Sequence, residues 1–191
     1  LMGEYESAWF TFYNNIDKLN ENPDYFPAAP VVEFYFYLTL VLLHVSVTGS
    51  SQARTRKNWL RKGKKYIGLW SKKSPEIGMG RRLLIQAEEN YVRGKLLEAV
   101  RDYDYAIDWA TEKKLSVISA IGNENAGKAW LRLMKPKLAR AYILEARFLY
   151  EKWGAKSKVA SIDRKYRELL LQVRLFSVGS DTTTRQTNGT E

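Results

Sequence analysis

The chain is predicted to be all-α: an α-solenoid of about eight antiparallel helices, built from degenerate helix-hairpin repeats of about 40 residues. Three observations predict it. Apolar residues recur every three or four positions over most of the 191 residues, the spacing of one helix face. No segment alternates apolar and polar residues over a strand's length, and no Asn-Gly or Asp-Gly turn joins two strand-like runs. The C-terminal half also repeats itself at an offset of forty residues, with Ala139 falling on Ala99, Ile143 on Tyr103 and Ala146 on Ala106.

The elements follow in order. Glu4 to Leu19 is amphipathic through Ala8, Trp9, Phe12, Tyr13, Ile16 and Leu19 and reads as the first helix. Asn20 to Pro30 carries three prolines and reads as a loop. Val31 to Val47 is a second helix, apolar all round and therefore buried. Its apolar run, Phe34 to Val47, has fourteen residues, too few for the roughly 20 that span a bilayer. Thr48 to Ser51 is a turn, and Gln52 to Lys73 a third helix ended by Ser74-Pro75. Glu76 to Arg93 is the fourth, closed by a turn at Gly94, and Leu96 to Lys113 is the fifth. Leu115 to Leu133 is the sixth, weakened by Gly122 and Gly127. Pro136 to Trp153 is the seventh, with proline at its first position and Gly154 just past its end. Ala155 to Leu175 is the eighth, with an irregular end. Residues 1–172 form the helical domain. The remainder, 173–191, is a polar linker in which Val178 to Glu191 is too poor in apolar residues to order itself.

The repeat has a recognisable grammar. The earlier copy runs through Ala87, Tyr91, Gly94, Ala99, Tyr103 and Ala106; the later one carries Gly127 and Trp130 in its first helix and Ala139, Ile143 and Ala146 in its second. Small residues at fixed offsets let antiparallel helices approach, and large ones fill the remaining gap, a tetratricopeptide-like pattern; the alternative that the same spacing allows is an ordinary antiparallel bundle without repeats.

Certain runs also resemble one family. These are Ala126 to Leu131 (AGKAWL), Lys137 to Arg147 (KLARAYILEAR) and Tyr150 to Val159 (YEKWGAKSKV), together with Glu33 to Leu38 (EFYFYL) and the lysine-rich helix from Trp59 to Trp70. They resemble the helical region of large multidomain sensor kinases. Such proteins run from a serine/threonine-kinase-like domain through an AAA-type ATPase to helical repeats, a GAF domain and a histidine kinase. The resemblance covers roughly residues 30 to 170, with departures at Met134-Lys135, which replaces a Gly-containing turn, and at Arg167, where the family often has Pro. It implies a non-catalytic connecting segment of a cytoplasmic phosphorelay kinase, with protein domains as partners and the tail as the linker into the GAF domain.

Composition narrows the remaining classes. There is no cysteine, so neither a disulfide framework nor a thiolate metal site, which fits a reducing compartment. No charged start, apolar core and small-residue cleavage site mark a signal peptide near Leu1. The net charge is +10, and its source is local. Between Glu33 and Glu76 nine basic residues (Arg54, Arg56, Lys57, Arg61, Lys62, Lys64, Lys65, Lys72 and Lys73) face no acidic one, leaving 22 basic against 21 acidic elsewhere. A basic helix suits a phosphate backbone, an anionic membrane or an acidic protein, or simply a solvated outer face. Its aromatics, Trp59, Tyr66 and Trp70, sit at core spacing rather than interleaved as stacking platforms, which argues against single-stranded nucleic acid.

Catalytic constellations are not apparent. The single histidine, His44, lies in an apolar helix and lacks the acidic neighbour of a phosphoacceptor; it reads as a core or boundary histidine with one satisfied nitrogen. Gly63-Lys64, Gly94-Lys95 and Gly127-Lys128 lack the other residues of a phosphate loop. Asp104 and Asp108 share a helix face without a visible partner. No catalytic, cofactor-binding or metal-binding residue is expected. The residues expected to shape an interaction surface are Arg61, Lys64, Lys65, Tyr91, Tyr103, Trp130 and Tyr142. The competing expectation is a free-standing basic module for nucleic acid or an anionic membrane surface.

Overall fold

The computed structural model describes residues 2–14 and 28–171, and these are all-α. The helices are α1 (Met2–Asn14), α2 (Ala28–His44), α3 (Ser50–Lys73), α4 (Pro75–Val92), α5 (Leu96–Glu112), α6 (Ser116–Arg132), α7 (Pro136–Lys152) and α8 (Lys156–Lys165), followed by a short helical stretch at 167–171. Residues 15–19 of the expected first helix, most of the expected proline loop and the polar tail lie outside the described residues.

Several boundaries differ from expectation: α2 ends at His44 rather than Val47, and α3 begins at Ser50 rather than Gln52. Helix α2 begins at Ala28 rather than Val31, which places Pro30 inside the first turn, where its missing N–H has no intrahelical partner to lose. The expected eighth helix is broken at Tyr166. There the backbone swings to φ −111° and ψ 23°, and the ring is buried against Tyr150 and Ile162. Burial of one large ring overrides helical continuity.

Each helix from α2 onward packs against the next along the chain. The backbones of α2, α4 and α6 also approach one another, whereas those of α3, α5 and α7 do not. Helices α2, α4 and α6 therefore form the inner wall of the stack, and α3, α5 and α7 splay outside it. One continuous core runs from Trp9 through Phe36, Leu42, Leu84 and Tyr103 to Ala129; a second holds Ile143, Tyr150, Ile162 and Tyr166. The aromatic content concentrates at the first end. Phe12 meets the Trp59 edge at 5.2 Å and Tyr35 packs on Tyr66 at 4.5 Å, joining α1, α2 and α3.

The forty-residue register holds in burial. Ala99 and Ala139, Tyr103 and Ile143, and Ala106 and Ala146 are all fully buried. Gly127 shows why small residues stand on the inner helices: an added Cβ would lie 2.7 Å from Ile143 and 3.2 Å from the Ala139 carbonyl, so α6 and α7 touch through hydrogen.

The joints follow a shorter period of half the repeat. Gly94, Lys114, Met134 and Gly154 all have positive φ, at +77°, +57°, +56° and +84°. After each, the next N–H reaches back to the helix: Lys95 to Asn90 at 2.9 Å, Leu115 to Ala110 at 2.8 Å, Lys135 to Trp130 at 2.9 Å and Ala155 to Tyr150 at 2.9 Å. These are Schellman closures, which satisfy the last carbonyls of each helix. Met134 and Lys114 thus do the work of a glycine at a conformational cost of about 1 kcal/mol each. Replacing exposed Met134 by glycine is therefore expected to raise stability by about 0.5–1 kcal/mol in urea unfolding. A loss of stability would mean that the Met134 side chain supplies packing its exposure denies.

Candidate functional site

The polar residues of the inner wall form the most developed side-chain constellation among the described residues. Its centre is Glu88 on α4, which is 4% exposed. One carboxylate oxygen meets Nε2 of His44 on α2. The other accepts the Tyr103 hydroxyl from α5 and, at 3.0 Å, the Asn125 side-chain amide from α6. One carboxylate thus ties four helices. Tyr5 of α1 stacks flat on the His44 ring at 4.5 Å, adding a fifth. Burial and the Glu88 carboxylate together push the Tyr103 hydroxyl far above its ordinary range, so it stays a donor.

A second centre lies one residue from Asn125. Glu124 is 5% exposed and pairs with Lys128 at 3.3 Å and with Lys158 of α8 at 2.9 Å, and it accepts the Tyr150 hydroxyl of α7 at 3.2 Å. Lys128 also donates to Asn125 at 2.7 Å, which links the two centres into one chain of polar contacts. Burial alone would raise the Glu124 carboxyl, but the two ammonium groups outweigh it and hold it down at about 2. Lys128 is shifted the other way: burial would lower it, yet Glu124 holds it above its ordinary value.

Chemically this is a clasp. The Glu88 oxygens already meet three partners, and the donors that fill them come from packed helices. Among the described residues no group of three or more His, Cys, Asp or Glu is placed to hold a metal ion.

The seven residues expected to shape an interaction surface do not share one. Tyr103 is fully buried and its hydroxyl is taken by Glu88. Tyr91 lies on inner helix α4, half-buried, with the Arg132 guanidinium 4.6 Å above its ring. Trp130 is half-buried on α6, with its indole N–H beside the Tyr142 hydroxyl of α7. Tyr142 sits on outer helix α7 and donates to Asp104 of α5 at 2.7 Å; burial and that carboxylate push it up to about 12. Arg61, Lys64 and Lys65 are exposed on outer helix α3, where Lys64 pairs with Glu89.

Of the two placements its sequence context allowed, His44 takes the boundary one, at the end of an apolar helix with one nitrogen bonded. Glu88, Glu124 and Asn125 were not legible as a site. They lie far apart in sequence from most partners, and glutamates on amphipathic helices ordinarily face water. A buried carboxylate becomes visible only once the facing helices are placed.

Comparison of the chain with protein-family models, curated proteins and solved structures finds no match in any of the three.

Two predictions follow from the clasp chemistry. Replacing Glu88 by alanine strands His44, Tyr103 and Asn125 and is expected to cost about 3–5 kcal/mol in urea unfolding, with Glu88→Gln costing less because the amide keeps an acceptor. Equal losses for the two variants would show that packing, not polar pairing, holds this centre. The Glu124 carboxyl, lowered from 4.5 to about 2, contributes stability fully present above pH 4.5 and lost as pH falls toward 2. Glu124→Gln should remove that part of the acid dependence, roughly 2–3 kcal/mol between those limits. An unchanged acid limb of the stability–pH curve would contradict the assignment.

Proposed function

We propose that the chain is a non-catalytic helical scaffold: a tetratricopeptide-like segment that connects and orients the ATPase and sensor or histidine-kinase modules of a multidomain cytoplasmic signalling kinase. One observation carries the scaffold part. Helix packs on next helix and inner helix on inner helix, so the stack is held by neighbour contacts. Proteins built this way use extended surfaces to recognise other proteins. The polar clasps support the same reading, because they keep successive hairpins in fixed relative orientation. The kinase assignment rests on the resemblance between residues 30 and 170. No helix among the described residues is long and apolar enough to cross a membrane.

The direct test is calorimetric. The ATPase module and the GAF–histidine-kinase module of a kinase with this architecture, each produced separately, are expected to bind the chain saturably. No heat of binding with either module would overturn the reading.

The second reading, a basic module for nucleic acid or an anionic membrane, is favoured by one specific observation. Arg54, Lys57, Arg61, Lys65 and Lys72 are exposed on α3 without a carboxylate partner among the described residues. Binding to duplex DNA or phosphatidylserine vesicles that falls steeply with salt would support it. No binding at low salt would remove it.

A further inference from the structure

The outer face of α3 carries a feature that the scaffold does not need. Arg54, Arg61, Lys65 and Lys72 follow one another at intervals of seven, four and seven residues, so they lie in a single row along the helix. At 1.5 Å per residue the row is about 27 Å long. Where α3 meets α4, the row borders an open groove of about 570 Å³ lined by Lys65, Gly68, Leu69, Lys72, Met79 and Arg82. Its floor is carbon, with Leu69 46% exposed, and its rim is cationic. Among the described residues, none of the rim cations Lys65, Lys72 and Arg82 has an ion-pair partner.

Gly68 is the second, independent observation. At Gly63, Gly78, Gly80, Gly122 and Gly127 an added Cβ would stand within 3.0 Å of a neighbouring atom, so packing explains each of those glycines. At Gly68 an added Cβ meets nothing within 4 Å. A glycine in the middle of a 24-residue helix weakens that helix, and here no intramolecular contact accounts for it. Its missing side chain opens a notch in the groove between the charges of Lys65 and Lys72.

We propose that this groove docks an acidic amphipathic protein segment. Its carboxylates would pair with Arg61, Lys65, Lys72 and Arg82, its apolar face would lie on Leu69 and Met79, and its backbone would pass close to Gly68. Charge complementarity selects an anion. The carbon floor and the notch select a peptide over a phosphate backbone, which gains little from exposed aliphatic surface. The recess disfavours a flat bilayer. The helix's aromatics, Trp59, Tyr66 and Trp70, are turned toward the core and offer no bases a stacking surface. The proposal rests on the scaffold reading only in taking the partner to be protein.

The test uses the full chain and a fluorescein-labelled helical peptide of Glu, Ala and Leu, followed by anisotropy. A Lys-for-Glu counterpart, duplex DNA and phosphatidylserine vesicles serve as comparisons. The acidic peptide is expected to bind and its basic counterpart not, with affinity falling as salt rises. Gly68→Gln and Lys65→Glu are each expected to weaken binding by about tenfold or more. Gly68→Gln should at the same time keep or raise the thermal midpoint, because it replaces a helix-interior glycine. Peptide affinity untouched by Gly68→Gln overturns the proposal, as does tighter binding to DNA or vesicles, or no peptide binding at low salt. A chain that binds the peptide but neither kinase module keeps the groove and loses the kinase assignment.

Discussion

The stack depends on two carboxylates buried on its inner helices. A charged group at 4–5% exposure is costly unless fully paired, so Glu88 and Glu124 each impose a geometry on everything around them. Glu88 needs donors from α2, α5 and α6 at once, and Glu124 needs donors from α6, α7 and α8. Apolar packing between two helices tolerates small slides and rotations. A carboxylate that must meet three donors does not. These centres therefore set the angle of each hairpin on the next more strictly than the alanine and leucine contacts can.

Surface contacts refine this frame. Arg81 on α4 pairs with Glu33 on α2, and Arg147 on α7 grips both oxygens of Asp163, at 2.6 and 3.0 Å, just beyond the end of the inner polar chain. The Arg147–Asp163 pair, the more exposed of the two, is individually weak. Both of these pairs run across helices, whereas the caps use backbone alone. The four Schellman joints at Gly94, Lys114, Met134 and Gly154 need no side-chain hydrogen bond, which explains how lysine and methionine can occupy a glycine's place at modest cost.

Much of the fold was legible in the chain. The hairpin from α4 to α5 and its copy from α6 to α7 could be read from periodicity, and the register of Ala99 with Ala139 held in burial. All four joints fell between helices read from the sequence, but positive φ was legible only at Gly94 and Gly154, because nothing in a lysine or methionine announces it at Lys114 and Met134. The site was less legible. Tyr103 was expected on a surface and is instead buried under Glu88, since an aromatic at core spacing carries no mark of which neighbour covers its hydroxyl. The basic character of α3 was plain, but the notch at Gly68 was not, as glycines needed for packing and those that are not look alike in a sequence.

The sequence by itself determined the helical class, the order and approximate ends of the helices, the repeat, and the concentration of positive charge on one helix. Those properties are local: they arise from spacing along one segment and from composition. Tertiary structure alone decided which helices line the inner wall, that His44, Glu88 and Asn125 meet across up to 81 positions of chain, and that the basic row borders a groove. These depend on the angles at which hairpins stack, and those angles follow from which buried charges find partners. Pairing of that kind is a property of the assembled helices, and no single segment encodes it.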